Sequence, residues 1–460
     1  MRKPAIYLIE RPCTKNGGRT HTKGRFEMRQ MVLHSLCVLI VCSCTIRIGP
    51  LDEDQTGPPS LPDPGGASSG TLNETQQARQ QEVDRYIAEV IYQGGHVVNS
   101  ALLPSGDIID FLDRNTLPAL PNALPGLPFG PEALVLPNSL NFGLSELQQS
   151  AELLGLAATT VPFHRPAFRP YIMGETPDAS SVEDYLARYQ EGGEPTGVRR
   201  LYAGLVSMEP NRGISGYMSQ FKPEVSDKSF SLLEFTVSCP ADGPRQELIG
   251  IAISVDKKNK FGPLKQEYQD GEARLHIEYA HMVNGKASYV WDGMDGHFVP
   301  NPFRLHHPGQ IVPVSELNKT SIEHLLTIFQ VPTGDYWLAY NGDLLGYYPA
   351  SLFTMLKGQA CRAAWYGEVY RRDVTLGAIP TEMGSGQFAE AGLFHAAHFR
   401  NPRYYDLDWF GVEPKDGLSM TPMQPLCYNK SALTFLPAPW ESRFIFLGGP
   451  GGKNPGCKWP

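Results

Sequence analysis

The sequence predicts an all-β protein. An antiparallel β-sandwich takes up residues 199–460, and a smaller segment of mixed helix and strand precedes it over 76–198. Three observations carry this. Short β-branched and aromatic runs follow one another at 200–208, 213–221, 229–238, 247–255, 273–281, 287–291, 323–330, 335–340, 344–348, 363–371, 395–400 and 443–447. Turn dipeptides separate them, among them Asp242-Gly243, Asn284-Gly285 and Asn341-Gly342. Helical periodicity is scarce there, with 350–358 the one candidate. Such a run of strands closes most simply as two packed antiparallel sheets.

The 460-residue chain is too long for one core and suits two or three units. Charged residues make up 19% and the net charge is −8, with no basic run. Nucleic-acid binding, which needs clustered Lys and Arg, is excluded. A monomer is the expectation.

Residues 1–48 read as an N-terminal extension and leader. The run 32–44, preceded by Arg29 and Met31, is too short to span a bilayer but fits a signal-peptide core. Met28 or Met31 is then the natural start. The ending Val41-Cys42-Ser43-Cys44 resembles a bacterial lipoprotein processing site, which would place a lipid anchor on Cys44. Two addresses stay open: free secretion, or attachment to the cell envelope. Residues 49–75, rich in Pro, Gly, Ser and Asp, read as a disordered linker.

A helix is expected over 76–93, where Val83, Ile87, Val90 and Ile91 share a face and Gly94-Gly95 stops it. A turn and short strand follow at 103–113. Residues 117–138 are too rich in proline for a regular element. A second helix is expected at 144–155.

Cys239, Cys361, Cys427 and Cys457 lack metal-ligand spacing. In an exported chain they read as two disulfides. His306-His307 and His276/His281 do not make a zinc motif, so neither metal nor cofactor is expected. Ser385, between two glycines, reads as a turn residue.

Several runs together resemble the neprosin domain. They are Tyr336-Trp337-Leu338, Leu345-Gly346-Tyr347-Tyr348-Pro349, Trp365-Tyr366-Gly367-Glu368-Val369, Thr381 to Phe388, Ala396-Ala397-His398-Phe399-Arg400-Asn401, and Phe446 to Gly452. Gly106-Asp107-Ile108-Ile109-Asp110 resembles that family's activation peptide. The resemblance implies a β-sandwich endopeptidase, secreted, cutting peptide or protein substrates near proline with two glutamates. It makes 76–198 a pro-segment that packs on the sandwich. It places Trp337, Tyr347, Trp365, Tyr366 and Gln387 in the substrate groove and pairs Cys427 with Cys457. Cys239 and Cys361 remain for a second bridge.

One carboxylate of such a pair takes a proton from water. The other, protonated, polarises the scissile carbonyl. Two adjacent carboxyls cannot both be charged cheaply, so acid pH is favoured.

Glu368 matches the second family glutamate. Where the first should stand there is Gly250. Strand arithmetic offers two replacements. A hairpin centred near 242 sets Glu234 opposite Gly250, and one near 264 sets Glu278 opposite it from the other side. Glu234 stands where the family usually has Gln, and Glu278 where it has an aromatic residue. Glu247, at an odd offset, points to the other face. Two readings stay open: a live enzyme whose acid has moved to a neighbouring strand, or an inactive peptide- or cell-wall-binding sandwich. A carbohydrate-binding sandwich ranks third.

Overall fold

Reciprocal capping starts the first element of this computed structural model. The Asn73 side chain accepts from the Gln76 N–H at 2.9 Å, and the Gln76 side chain accepts from the Asn73 N–H at 3.0 Å. Helix α1 then runs Glu74–Tyr86. It ends in a wider turn over Ile87–Ile91, where the Tyr92 N–H reaches back to the Ile87 carbonyl at 2.8 Å. Gln93 and Gly94 take positive φ and end it, where the sequence places the stop.

The structure describes residues 72–103, 107–118, 159–166, 168–174, 179–190, 199–227, 229–239, 247–257, 271–283, 286–371, 380–415, 418–420, 424–437 and 439–458. The leader with Cys44, most of the linker and the helix expected at 144–155 lie outside them.

The N-terminal region carries more strand than its sequence suggests. β1 (Val97–Leu102), β2 (Ile108–Asp113) and β3 (Thr160–His164) form a three-stranded antiparallel sheet. The short helices α2 (Arg169–Met173) and α3 (Val182–Gln190) follow. Val83, Tyr86, Leu112, Val161, Tyr171 and Tyr185 belong to their shared core. Asp110 is fully buried and accepts from Arg165 Nε and Nη2 at 2.6 Å each and from the Tyr92 hydroxyl at 2.5 Å. A buried carboxylate needs this set of donors.

The sandwich strands are β4 (Arg199–Ser207), β5 (Gly213–Ser219), β6 (Ser229–Cys239), β7 (Glu247–Lys257), β8 (Ala273–Val283), β9 (Lys286–Trp291), β10 (Val299–Pro300), β11 (Glu323–Gln330), β12 (Tyr336–Tyr340), β13 (Asp343–Tyr348), β14 (Arg362–Arg371), β15 (Ala397–Tyr405), β16 (Gly411–Val412), β17 (Asn429–Lys430), β18 (Thr434–Leu436) and β19 (Ser442–Gly448). Every strand expected from the sequence is present, with ends shifted by a few residues. The helix expected at 350–358 is not. That stretch holds only a 3-10 turn over Ala350–Leu352, because the buried Glu247 carboxylate takes the N–H groups of Thr354, Met355 and Leu356.

Six strands form one sheet in the order β4-β14-β6-β7-β8-β9. The other sheet runs β10-β13-β12-β11-β5-β15-β19-β17, with β16 and β18 at its edges. Leu205, Leu233, Phe235, Ile251, Ile277 and Trp365 of the first meet Ile214, Leu326, Leu338, Phe399 and Ile445 of the second in one buried core. The expected all-β sandwich is the fold. Alternate residues of the six-stranded sheet point away from this core, yet many are buried as well. That second buried face holds the glutamates.

Two disulfides close the fold. Cys427–Cys457 ties the chain end, and Cys239–Cys361 joins the end of β6 to the start of β14.

The N-terminal region packs on the sandwich. Asp107 pairs with Arg274 at 2.8 Å, both buried. Arg304 Nη2 donates to the Pro162 carbonyl at 3.0 Å, and its guanidinium lies 4.3 Å from the Phe163 ring centroid. The Tyr86 hydroxyl donates to the Met294 carbonyl at 3.0 Å. Gln93 Nε2 donates to the Gly296 and Phe298 carbonyls at 3.0 and 2.8 Å.

Candidate active site

Glu368 on β14, Glu234 on β6 and Glu278 on β8 share the face of the six-stranded sheet that looks away from the core. Each is buried, with 3%, 1% and 6% of its surface exposed. Gly250, on β7, lies between Glu234 and Glu278. Glu278 stands directly opposite Gly250, as the strand arithmetic has it. Glu234 does not. The β6–β7 register centres one residue later than expected, so Thr236 faces Gly250 and Glu234 faces Ala252. Glu234 therefore reaches Gly250 on the diagonal, which keeps it on the same face.

The glycine is what admits both acids. A Cβ at position 250 would lie 2.7 Å from Glu278 Cγ and closer still to Glu234 Oε1. The Tyr366 hydroxyl, directly across from Glu234, donates to Glu234 Oε2 at 2.5 Å. Glu234 Oε1 meets no donor among the described residues. An ionised Glu234 would leave that oxygen buried and unsatisfied. A proton shared with Glu278 removes the penalty.

Burial pushes the Glu234 carboxyl well above the usual range, and the charge of Glu278 adds to the effect. Burial likewise raises Glu278, to about 7. The hydrogen bond from Glu234 opposes that rise, and the charge of Glu368 adds to it. Glu368 is ion-paired with Arg200 on β4. The Arg200 guanidinium also lies 5.1 Å from the Tyr370 ring centroid. Leu232, Ala364, Val206 and Met420 form an apolar flank beside Tyr366. The arrangement can hold one carboxyl protonated at neutral pH next to another paired with a cation.

Of the five side chains expected in the groove, Tyr366 alone is hydrogen-bonded to one of these acids. Trp365 is fully buried between the sheets, its Nε1 donating to the Ser215 carbonyl at 3.1 Å. It is three residues from Glu368, and an odd offset on a strand reverses the face. Trp337 and Tyr347 stack at 4.9 Å on the far side of the other sheet, with Phe329 and Tyr405. Gln387 is exposed in the connection between β14 and β15. Sequence reasoning missed Arg200, His276 as a neighbour of Glu278, and Asp292. The available signal for Arg200 was a cation at the start of a strand buried on both faces, where it needs an acid.

Residues 264–450 match the family model described as Neprosin. The chain carries a neprosin domain. Glu278 and Glu368 lie within the matched residues; Glu234 and Gly250 lie upstream. The neprosin match supports a peptidase-type reading of this face.

Among solved structures, the chain is similar to a scytalido-glutamic peptidase with a transition-state analogue inhibitor. The two are 8% identical over 54% of this chain and 98% of the other, with a TM-score of 0.29. The same values hold for SCP-B, a member of the Eqolisin family of peptidases, in complex with the tripeptide Ala-Ile-His. A Bacteroides ovatus mixed-linkage glucan GH16 protein is 8% identical over 38% of this chain and 68% of its own, with a TM-score of 0.24. Likenesses this weak carry no chemistry across.

Proposed function

We propose that this chain is an exported endopeptidase of the glutamic type, made as a precursor, acting in acid and cutting near proline. The observation behind it is the pair of buried carboxyls, Glu234 and Glu278, that meets at Gly250, with buried Glu368 on the same face of the sheet and Glu278 raised to about 7. In this reading Glu278 and Glu368 are the working pair. Glu368 takes the proton from the attacking water. Protonated Glu278 donates to the scissile carbonyl and stabilises the oxyanion. Glu234, itself protonated and held by Tyr366, orients Glu278 through the shared proton. The N-terminal region is the pro-segment of this reading, and the proline preference rests on the family resemblance.

The test is hydrolysis of a proline-containing peptide by the acid-treated chain. Glu368→Gln and Glu278→Gln should each abolish it, because an amide cannot exchange a proton. Glu234→Gln should retain part, since its amide can still donate to Glu278. Activity that survives Glu368→Gln would overturn the reading.

One observation favours a second reading, a peptide-binding sandwich without catalysis: Gly250 stands where the resemblance puts an acid. A parent chain that binds the peptide across acid pH without cutting it would establish that reading.

A further inference from the structure

Glu278 has neighbours beyond the acids. His276 lies two residues earlier on β8, hence on the same face, and is buried. Its Nδ1 bonds Asp292 Oδ2 at 2.8 Å. Its ring meets Trp291 edge-on at 5.9 Å, and Trp291 is the residue directly across the sheet from Glu278. Asp292 also holds the strand itself. Its Oδ1 accepts the Ile277 N–H at 3.0 Å, and its own N–H donates to the Ile277 carbonyl at 2.7 Å. Asp292 takes φ +52°, turning the chain out of β9 while its side chain continues the ladder. A residue spent in a strained conformation on two bonds beside Glu278 is worth explaining.

We propose that His276 and Asp292 are positioning residues for Glu278, fixing its strand and its field from the side opposite Glu368. The inference rests on the peptidase reading for its purpose, not for its geometry. Asp292 belongs to the connection 292–298, which the N-terminal region grips. Tyr86 bonds Met294, Gln93 bonds Gly296 and Phe298, and Val90 packs where a side chain at Gly296 would stand. A cavity of about 40 Å³ lies between Asp292–Met294 and the N-terminal Ile91, Phe163 and His164. The same connection sends Asp295 and His297 to Tyr279, on the other face of β8. Asp292 alone of its acids serves the glutamate face.

The groups facing Glu278 are Glu234 from β6, Glu368 from β14, Arg200 from β4, His276 on its own strand and Asp292. The negative charge of Asp292 helps to raise Glu278. The experiment titrates Glu278 in the full chain by infrared difference spectroscopy, following the carbonyl band of its protonated form, identified by its loss in Glu278→Gln. Asp292→Asn should lower the midpoint, because it removes one of the charges that raise Glu278. His276→Gln, which takes away the imidazole bonded to Asp292 Oδ2, should shift it as well. Asp295→Asn, on the same connection but serving the other face, should leave it in place. Folding is checked by circular dichroism, and His276→Gln suffices should Asp292→Asn fail to fold. A Glu278 midpoint unchanged in folded Asp292→Asn or His276→Gln overturns the inference. Where the parent cleaves peptide, both variants should lower kcat more than they raise KM. A chain that shifts its midpoint as stated but cleaves nothing sinks the peptidase reading and leaves this one standing.

Discussion

Glu278 stands directly across the sheet from Gly250, and the missing side chain there lets Glu234 reach it from the next strand. A side chain at that point would separate the two acids. The acid that the resemblance expects on β7 and the pair found on β6 and β8 therefore exclude one another sterically.

Gly250→Ala should thus be costly. Its methyl group would press on Glu234 Oε1 and Glu278 Cγ, and overpacking of this kind costs about 1–3 kcal/mol. Urea unfolding checks it. Gly250→Glu should be worse and should create no activity, because the added acid has no room beside two others.

Glu278 couples stability to pH. Folded, it keeps its proton to about pH 7, against an ordinary value of 4.5. The folded state binds the extra proton between these values, so stability is full below pH 4.5 and falls as pH rises through 7. The loss is on the order of 3 kcal/mol. Glu278→Gln should flatten this part of the stability curve and exceed the parent in stability above pH 7. Thermal unfolding from pH 4 to 8 reads both.

Glutamic-type activity should fall over the same upper limb. As Glu278 loses its proton near pH 7, the donor to the scissile carbonyl disappears. A pH–rate profile for peptide cleavage that rises through pH 7 would contradict the assignment of Glu278 as the acid.

The Cys239–Cys361 bridge joins adjacent β6 and β14, which carry Glu234, Tyr366 and Glu368. It closes a chain loop of 122 residues, against 30 for Cys427–Cys457. Loop-closure entropy puts their losses at about 5 and about 3.5 kcal/mol. Replacing each pair by serine should lower the melting temperature in that order. The Cys239/Cys361 variant should also lose more activity.

Asp107 ties the N-terminal region down. Asp107→Ala would remove a buried carboxylate partner of Arg274, and breaking a buried ion pair costs up to about 3–5 kcal/mol. Limited proteolysis should then cut the variant upstream of Arg199 faster than the parent. Equal rates would mean that the Asp107–Arg274 pair does not hold the region in place.

Much of this protein was legible along the chain. β11 spans 323–330, as its apolar run says, and both cysteine pairs close. Glu278 meets Gly250 because a hairpin's register follows from its centre, and only parity and turn length enter. The helix expected at 350–358 failed for a reason that lies 107 residues away, where Glu247 takes the N–H groups it needed.

The sequence by itself determined where the strands lie and which acids share a parity with Gly250. Period and spacing are local properties, and the chain carries them wherever it goes. Only the tertiary structure decided which of the two faces is core and which holds the acids. It also brought Arg200 to Glu368, and Asp292 to His276. Those pairings depend on the order of strands across a sheet and on a connection turning at one residue. They form because a buried charge must find its partner after the backbone has already been placed.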